Sequence, residues 1–527
     1  MSGALDAGHG HRLCGGRACH PGSWTTYTYT YNLFSMAPGP VHPPIPFPPE
    51  LPALLHGLNT WWRPPHSVRP TVPPFLRRQT RLLAERMGQR VPLIQVIRGP
   101  RQVGKTTAIL QLVESLLADG VRPTDILLLR FDLQSLREAG GLLGLVSWYE
   151  ANVRGRALDD GAPAYLLLDE IHKLRRWSEE VKHLAETARP RMVITGSSSV
   201  LVARGTRESL AGRVQTTEFP TFSFREVLEA WHPDLAPPVP PLRFLSTFDR
   251  GVPGVFRELH AFAEAHVRPL ARALDRYYLR GGYPRLYSAE LVEDGWADYL
   301  IETVFDRVLG VDIPELFPVQ QPQLLRHLYL SLARRTGQQV SQLELAAEAN
   351  AAGLRTNQPT VGRYMHYLAG ALLVREFRRF PLGKAKTARV PVKVTLTDLG
   401  VRNAIFRGAP SLFESPPDLV GSLVETVVQT VIRDTDLSVH FYRDRTDPSD
   451  RRSPFQEVDF VAERTDGDVL PIEVKFRRKL DDADFRGLSA FMKQYRCRRG
   501  VLVSRETSAL DEDRILVVPL RDFLLAY

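Results

Sequence analysis

The sequence has few cysteines: Cys14, Cys19 and Cys497 are the only three in 527 residues. They are too few and too widely spaced for a framework of disulfides, which favours a reducing compartment, the cytoplasm. No run of about 18 apolar residues is present, so we expect no membrane partner. The first 35 residues lack the basic and then apolar order of a signal peptide, so export is unsupported.

The charge is moderately unbalanced. The 68 Lys and Arg residues exceed the 59 Asp and Glu residues by nine, and the sequence pI is about 9.5. A basic chain favours polyanions, which makes DNA a candidate partner without requiring it. The 43% of hydrophobic and 24% of charged residues are typical of a globular protein, and the length predicts three or four domains.

The first 74 residues predict a disordered, proline-rich extension. Thirteen of the 41 prolines lie between Pro38 and Pro74, a density typical of extended chain rather than of packed elements. Nearer the start, zinc-type side chains gather in a spacing that fits no standard finger, which argues against a metal site. These side chains are His9, His11, Cys14, Cys19 and His20.

From Leu93 the sequence alternates strand and helix patterns. The apolar runs LIQVIRG, ILLLRFDL, YLLLDEI and RMVITG are separated by helical patterns, and VQTTEFPTF follows them. Continuous apolar strands with helices between them predict a parallel sheet of the α/β class. A second proline cluster at 233–242 indicates a linker, and helical patterns then dominate to about residue 380.

Residues 99–106, GPRQVGKT, match the full phosphate-loop pattern between a strand and a helix. Two glycines allow a tight loop whose backbone N–H groups surround the phosphates of ATP. Lys105 is expected to reach the β and γ phosphates, and the Thr106 hydroxyl to bind Mg²⁺. The predicted nucleotide-binding residues are Gly99, Pro100, Arg101, Gln102, Val103, Gly104, Lys105, Thr106 and Thr107.

The strand AYLLLDE predicts the second half of that site. Asp169 can hold Mg²⁺ through water, because ligands gather at the carboxyl ends of parallel strands, and Glu170 is the candidate base for the attacking water. Thr195, at the end of the next strand, is a candidate γ-phosphate sensor, although polar residues there are also common caps. Arg213 is a candidate to stabilise the transferring phosphoryl group, in cis or from a neighbouring subunit, and Arg204 is a weaker one.

In this order the motifs resemble a prokaryotic AAA-type ATPase family of largely undefined function. The resemblance implies an additional-strand sheet of order 5-1-4-3-2, then a winged helix and a PD-(D/E)xK nuclease-like domain, and it implies self-association. The proline-rich front and the insertion after SFREVL depart from the family pattern. The matching stretches, over roughly residues 75–510, are GPRQVGKTT, LLLDEIHKL, VITGSSS, LAGRV, FPTFSFREVL, GGYPRLY, TLTDLGVRNAI and EVDFVAE with IEVKF.

Residues 322–380 contain three helical patterns of the size of a winged helix-turn-helix. Asn357 can cap the third helix, with Pro359 in its first turn. Arg363 and Tyr367 are expected to point outward, where they could enter a DNA groove, but a protein-packing module is an equal alternative. The buried face is predicted to be Val361, Tyr364 and Leu368.

The last domain carries the D…ExK residues of metal-dependent nucleases, Asp459, Glu473 and Lys475. The carboxylates can hold Mg²⁺, with Glu425 as the expected fourth member, while Lys475 steadies a hydroxide or phosphate. The alternative is a nuclease fold that keeps these residues for packing or DNA contact without cutting.

Strand register decides whether Asp459 joins Glu473. A three-residue loop, Thr465 to Gly467 with Gly467 left-handed, pairs the two residues directly, whereas a two-residue turn points Asp459 away. We predict the three-residue loop.

The predicted organisation is an extension at 1–74, an AAA-type ATPase domain at 75–232, a helical region at 233–320, a winged-helix-like domain at 321–390 and an α/β restriction-endonuclease-like domain at 391–527. The predicted function is Mg²⁺-dependent ATP hydrolysis that controls DNA binding or metal-dependent DNA cleavage, in a chain that is a candidate homo-oligomer. The alternative is a nucleotide-switched protein-binding or signalling ATPase with an inactive nuclease-like tail.

Overall fold

A computed structural model describes residues 48–64, 69–89, 93–196, 210–288, 295–381, 391–433, 436–445, 452–510 and 514–527. Within these ranges the strands form two sheets, one of five strands and one of eight. The predicted features that lie outside the described residues are Arg204 and the His and Cys residues near the amino terminus.

The five-stranded sheet consists of β1 (Ile94–Arg98), β2 (Ile126–Arg130), β3 (Tyr165–Asp169), β4 (Arg191–Gly196) and β5 (Val214–Glu218). Every pairing is parallel, and the order β2-β3-β4-β1-β5 is the 5-1-4-3-2 order that the family resemblance implies. That prediction is confirmed. The inner strands are buried on both faces, which explains their unbroken apolar sequences.

The helices of this part of the chain lie before and between those strands. They are α1 (Leu51–Leu58), α2 (Arg78–Met87), α3 (Lys105–Ala118), α4 (Gln134–Arg137), α5 (Gly141–Tyr149) and α6 (Trp177–Thr187).

Residues 48–64 are packed, so the predicted disordered extension is wrong for this segment. Trp61 and Trp62 are buried, and both indole N–H groups donate to one backbone carbonyl of β2, at 3.1 and 2.9 Å. Asn59 exchanges two hydrogen bonds with the backbone of Leu128. Because β2 is the outer strand of the sheet, these side chains satisfy backbone groups on an edge that no strand of the described residues covers.

Helices dominate the middle of the chain, as predicted. They are α7 (Phe224–Trp231), α8 (Val252–Ala265), α9 (Val267–Arg280), α10 (Trp296–Leu300) and α11 (Ile313–Leu316).

The eight-stranded sheet has the order β13-β12-β11-β10-β9-β7-β8-β6. Its strands are β6 (Gln338–Val340), β7 (Val374–Arg379), β8 (Val392–Leu396), β9 (Leu437–Arg445), β10 (Phe455–Arg464), β11 (Val469–Lys475), β12 (Gly500–Ser504) and β13 (Ile515–Pro519). Because β7 pairs with β9, the sheet is continuous across residue 390, where the sequence predicts a domain boundary. Its helices are α12 (Pro322–Arg334), α13 (Gln342–Ala351), α14 (Gln358–Gly370), α15 (Leu399–Ile405), α16 (Pro417–Val428), α17 (Asp482–Tyr495) and α18 (Leu520–Ala526).

Helix α14 begins as the sequence predicts. The Asn357 side chain accepts a hydrogen bond from the Thr360 N–H at 3.0 Å. Arg363 is exposed, but Tyr367 is buried and its ring stacks on Phe317 with centroids 4.1 Å apart, so the outward position predicted for Tyr367 is wrong. The predicted inner face is confirmed by the burial of Val361, Tyr364 and Leu368.

Three of the motifs that carry the family resemblance meet at one junction between the two sheets. They are FPTFSFREVL, GGYPRLY and TLTDLGVRNAI. The Phe222 N–H donates to the Gly282 carbonyl, and the Gly282 N–H donates to Asp398, both at 2.8 Å. A Cβ on Gly282 would lie 2.1 Å from the Phe222 carbonyl oxygen, and one on Gly400 would lie 1.9 Å from that of Arg280. Only glycine permits this backbone approach, so packing explains the glycines of GGYPRLY and TLTDLGVRNAI.

Candidate functional site

The phosphate loop leaves β1 and enters α3, as the pattern predicts. Gln102 has a φ of 62° and Gly104 a φ of 91°, left-handed conformations typical of loops whose N–H groups converge on an anion. Gly99 is required because a Cβ there would lie 2.2 Å from the Phe219 carbonyl oxygen. The loop therefore places backbone donors at the positive end of a 14-residue helix.

Lys105 is folded over this loop. Its buried ammonium donates to the carbonyl oxygens of Gly99 at 3.0 Å and Pro100 at 2.8 Å. Burial lowers the pKa of Lys105, and the Glu170 and Asp169 carboxylates oppose that shift. Phosphate oxygens are stronger acceptors for an ammonium than carbonyls are, so the side chain can exchange these contacts for a triphosphate.

Three predicted residues meet beside the loop. The Thr106 hydroxyl donates to Asp169 Oδ2 at 2.8 Å, and the Thr195 hydroxyl donates to the other oxygen, Oδ1. Burial raises the pKa of Asp169, while both hydroxyls oppose the shift. Mg²⁺ in such sites takes a hydroxyl, water, phosphate oxygens and a nearby carboxylate. The Thr106 hydroxyl and the Asp169 carboxylate therefore fit the ion.

Thr195 also holds the backbone of Glu170, the candidate base, in place. Its oxygen accepts a hydrogen bond from the Glu170 N–H at 3.0 Å, and Glu170 has a φ of 52°, left-handed for a non-glycine residue. One hydroxyl thus links the backbone of Glu170 to the carboxylate of Asp169. This position indicates a positioning role for Thr195 in addition to the predicted sensing role.

His172 lies within this cluster, although the sequence pattern does not identify it. Its Nδ1 is 3.6 Å from Glu170 Oε2, and its side chain is only 6% exposed. Burial lowers the pKa of His172, so the ring is neutral near pH 7. Its place two residues after Glu170, inside LLLDEIHKL, was the available signal.

Arg101, in the phosphate loop, is paired with a residue far away in the sequence. Its Nη2 lies 2.6 Å from Asp312 Oδ1, and its Nε also donates to that carboxylate. Asp312 comes directly before α11, so the pair joins the nucleotide loop to the helical region. No sequence pattern marked Asp312.

The structure corrects one role predicted for Arg213. Val214 lies opposite Ile94 in the parallel pair of β5 and β1, whereas the phosphate loop follows Arg98 at the other end of β1. That separation is roughly 13 Å along the strand. Arg213 forms an ion pair with Glu186 at 2.8 Å, so a role in cis is wrong and only a role on a neighbouring copy stays a prediction.

The register predicted for the nuclease-like strands is confirmed. Phe460 pairs with Ile472, and the pairing continues regularly to Glu463 and Val469. Beyond it the Arg464 N–H donates to the Asp468 carbonyl, which closes the three-residue loop in which Gly467 has a φ of 87°. The same register sets Asp459 opposite Glu473.

Asp459, Glu473 and Lys475 do come together. The Asp459 N–H donates to Glu473 at 3.3 Å, and the Lys475 ammonium donates to the same carboxylate at 2.5 Å. Asp459 also accepts from the Val474 N–H at 2.9 Å. Burial raises the pKa of Glu473, and the negative charge of Asp459 raises it further.

A buried lysine lies where a metal ion was expected. The Lys393 ammonium is 2.6 Å from Glu425 and 2.9 Å from Asp459, so one positive charge already lies between these carboxylates. Burial opposes the charge of Lys393, but the two carboxylates prevail and raise its pKa. Among the described residues, no group of three His, Cys, Asp or Glu side chains is arranged to hold a metal ion. The predicted Mg²⁺ ligand set, Glu425, Asp459 and Glu473, therefore does not fit this site, because an ammonium takes the ion's place.

Comparisons with known proteins agree with the description of the part of the chain that holds the phosphate loop. Residues 92–228 match a family described as an AAA domain. Residues 271–411 and 420–523 match two domains of unknown function, DUF8612 and DUF4143. In the part of the chain that the structure describes, no helix is long and apolar enough to cross a membrane.

The similar curated proteins are uncharacterized. One from Haemophilus influenzae is 20% identical over 436 residues, which cover 82% of this chain and 94% of that protein. Two from Mycobacterium bovis and Mycobacterium tuberculosis are each 26% identical over 333 residues, 62% of this chain and 58% of theirs.

Similar solved structures have low scores. The Saccharomyces cerevisiae Hsp104:casein complex is 17% identical, with a TM-score of 0.26 over 56% of this chain and 51% of that one. AMPPCP-bound DnaA from Aquifex aeolicus is 15% identical, with a TM-score of 0.24 over 56% of this chain and 89% of that one. Such scores carry no functional conclusion. The matched AAA domain, the phosphate loop and the parallel sheet together support a nucleotide-binding P-loop ATPase of the AAA type.

Proposed function

We propose that this chain hydrolyses ATP at the phosphate loop. The observation that carries the proposal is the 2.8 Å hydrogen bond from the Thr106 hydroxyl to Asp169. It joins the start of α3 to the end of β3, so the two groups that hold Mg²⁺ in P-loop enzymes are already in contact.

Each residue of the cluster has a role in that reaction. Mg²⁺, when bound, neutralises charge on the phosphates, and Thr106 would hold it directly with Asp169 acting through water. Lys105 binds the β and γ phosphates, and the loop N–H groups surround them. Glu170 accepts the proton of the attacking water, and Thr195 holds Glu170 and Asp169 in register.

Titration calorimetry with ATP and Mg²⁺ on the whole protein tests the proposal. We expect saturable uptake of ATP and release of phosphate on turnover, with both lost in Lys105→Ala and kept in Lys493→Ala, which changes an exposed lysine. Absence of adenine nucleotide uptake by the folded wild-type protein would contradict the proposal.

The ion pair of Arg101 with Asp312 supports coupling between nucleotide state and the rest of the chain. A phosphate that draws the Arg101 charge must compete with the Asp312 carboxylate, which belongs to the helical region. In a homo-oligomer, Arg213 of one copy is a candidate to reach the nucleotide of the next.

The nuclease-like part has a separate proposal. The order α12, β6, α13, α14, β7, β8 supports the winged-helix resemblance, and Asp459, Glu473 and Lys475 support the nuclease resemblance. Lys393 between Glu425 and Asp459 favours the alternative function, a nucleotide-switched ATPase whose tail does not cut DNA.

A plasmid-nicking assay with Mg²⁺ tests this second proposal. We expect no nicking above that of a Lys475→Ala preparation. Nicking by the wild-type protein that disappears in Lys475→Ala would contradict this proposal and support metal-dependent cleavage.

A further inference from the structure

A large recess lies between the two sheets, and because seven of its 26 described lining residues are arginines we name it the arginine cleft. Its volume is about 1280 Å³, above the roughly 300–1,000 Å³ typical of small-molecule sites. Its lining includes residues of α2, of β5, which is an outer strand of the five-stranded sheet, and of β7 and β9. Arg78, Arg81 and Arg86 come from α2.

The charge of the arginine cleft is unbalanced. Seven arginines line it against four acidic residues, which leaves a net charge of +3, and no lysine is among its described lining residues. Arginine in place of lysine matters because the planar guanidinium binds phosphate with two parallel hydrogen bonds and stacks on flat rings.

Three arginines of the cleft, Arg98, Arg375 and Arg433, act on one carboxylate, that of Glu218. Glu218 lies 3.1 Å from Arg98 and 4.0 Å from Arg433, so two guanidiniums share one carboxylate. Arg375 contacts Gln429, a neutral side chain, rather than a carboxylate of its own. Burial, with Arg433 nearby, lowers the pKa of Arg375 to about 10. These like charges repel one another, and a bound anion would relieve that repulsion.

Two further arginines of the cleft have charges available. Arg78 and Arg81 are exposed on α2, and the structure gives neither a carboxylate partner among the described residues. Apolar side chains also line the cleft, including Leu82, Leu372 and Leu437. A lining that combines guanidinium and apolar groups suits a chain that alternates phosphates and flat bases.

We propose that the arginine cleft binds single-stranded nucleic acid. A duplex presents its phosphates outward and hides its bases, so it could use the arginines of the recess but not the apolar side chains of its lining. A single strand can use both. Arg98 directly precedes the phosphate loop and Pro100 lies within it, and both line the cleft, so a bound strand would touch the backbone that surrounds the nucleotide.

Fluorescence anisotropy with labelled oligo-dT and oligo-U of about 15 nucleotides tests the proposal on the full chain, without ATP. We expect binding at low salt that weakens steeply as salt rises. Arg78→Glu with Arg81→Glu should weaken binding at least tenfold and reduce the salt slope by about two. The matched control is Arg268→Glu with Arg272→Glu, two exposed arginines on α9 outside the cleft.

Several outcomes would overturn the proposal. They are no binding by the wild-type protein at low salt, an equal loss in the control pair, or displacement of the strand by polyglutamate at the same charge concentration. Loss of binding in Arg363→Glu alone would place the strand on α14 instead. Unchanged thermal midpoints show that the variants fold. Since no nucleotide is present, failure here leaves the proposal of ATP hydrolysis standing.

Discussion

The Arg101 guanidinium, inside the phosphate loop, is held by the Asp312 carboxylate from the helical region, 211 residues later in the sequence. The two side chains are 23% and 10% exposed. An ion pair this well shielded fixes geometry more than it adds stability, because desolvation offsets much of the attraction.

Breaking this pair should affect both folding and nucleotide binding. Asp312→Ala leaves the Arg101 charge without its partner, so we expect the free energy of unfolding to fall by roughly 1–3 kcal/mol. Urea denaturation measures the loss. Glu302→Ala, at an exposed position ten residues earlier, is the control and should change little. If Asp312→Ala leaves the ATP dissociation constant unchanged, the pair does not couple the loop to the helical region.

Glu170→Gln should separate ATP binding from ATP turnover. The amide cannot accept the proton of the attacking water, so we expect turnover to fall about 10²–10⁴-fold while calorimetric ATP affinity is retained. Glu179→Gln, an exposed glutamate in α6, should leave turnover unchanged. Wild-type turnover in Glu170→Gln would remove the role as base.

Lys393→Ala should destabilise the nuclease-like part in a pH-dependent way. Removing the ammonium leaves Glu425 and Asp459, both largely buried, without their ion-pair partner, a loss of about 3–5 kcal/mol near neutral pH. Burial already raises the pKa of Glu425, so a proton can neutralise it as the pH falls. The loss should therefore be smaller at pH 5 than at pH 8, as measured by urea denaturation at both.

The response to Mg²⁺ provides a second test of the Lys393→Ala variant. With the ammonium gone, the two carboxylates are free to hold a cation, so Mg²⁺ should raise the thermal midpoint of Lys393→Ala more than that of the wild-type protein. Lys479→Ala, at an exposed lysine, should behave as wild type. Equal Mg²⁺ responses in all three proteins would contradict the view that Lys393 occupies the cation position.

Gly400→Ala and Gly421→Ala should have opposite effects, although both glycines lie in helices. A Cβ on Gly400 would lie 1.9 Å from the Arg280 carbonyl oxygen, whereas a Cβ on Gly421 would meet nothing within 4 Å. We expect the first change to destabilise the fold by at least about 1–3 kcal/mol and the second to stabilise it by up to about 1 kcal/mol. Chemical denaturation measures both changes in the free energy of unfolding. If Gly400→Ala were as stable as the wild-type protein, the backbones of Gly400 and Arg280 could move apart at little cost.

The parts of the site that the sequence predicted are those that local rules decide. The phosphate loop needs left-handed backbone at Gly104 and a close approach at Gly99, and both requirements are visible as glycines in a fixed spacing. The loop ending at Gly467 followed from the same conformational argument. The helix start at Asn357 followed from side-chain capping.

The incorrect predictions concern burial of residues whose partners are distant in sequence. Tyr367 was assigned outward from helical spacing, but Phe317 lies against it. Proline density predicted an unpacked segment at 48–64, but Trp61 and Trp62 bury themselves on β2. Lys393 offered a faint signal, a charged residue inside an apolar strand pattern, which does not reveal its carboxylate partners.

By itself the sequence determined the nucleotide loop, the acidic strand end, the sheet order through family resemblance, and the register of the last hairpin. The loop, the strand end and the register depend on spacing within a few residues or on alternation along a strand, so they are encoded locally, whereas the sheet order was implied only by the resemblance. Only the tertiary structure decided that Asp312 holds Arg101, that Lys393 lies between Glu425 and Asp459, and that arginines from five parts of the chain line one cleft. Charge pairing depends on distance in space, and chain folding sets that distance independently of sequence separation.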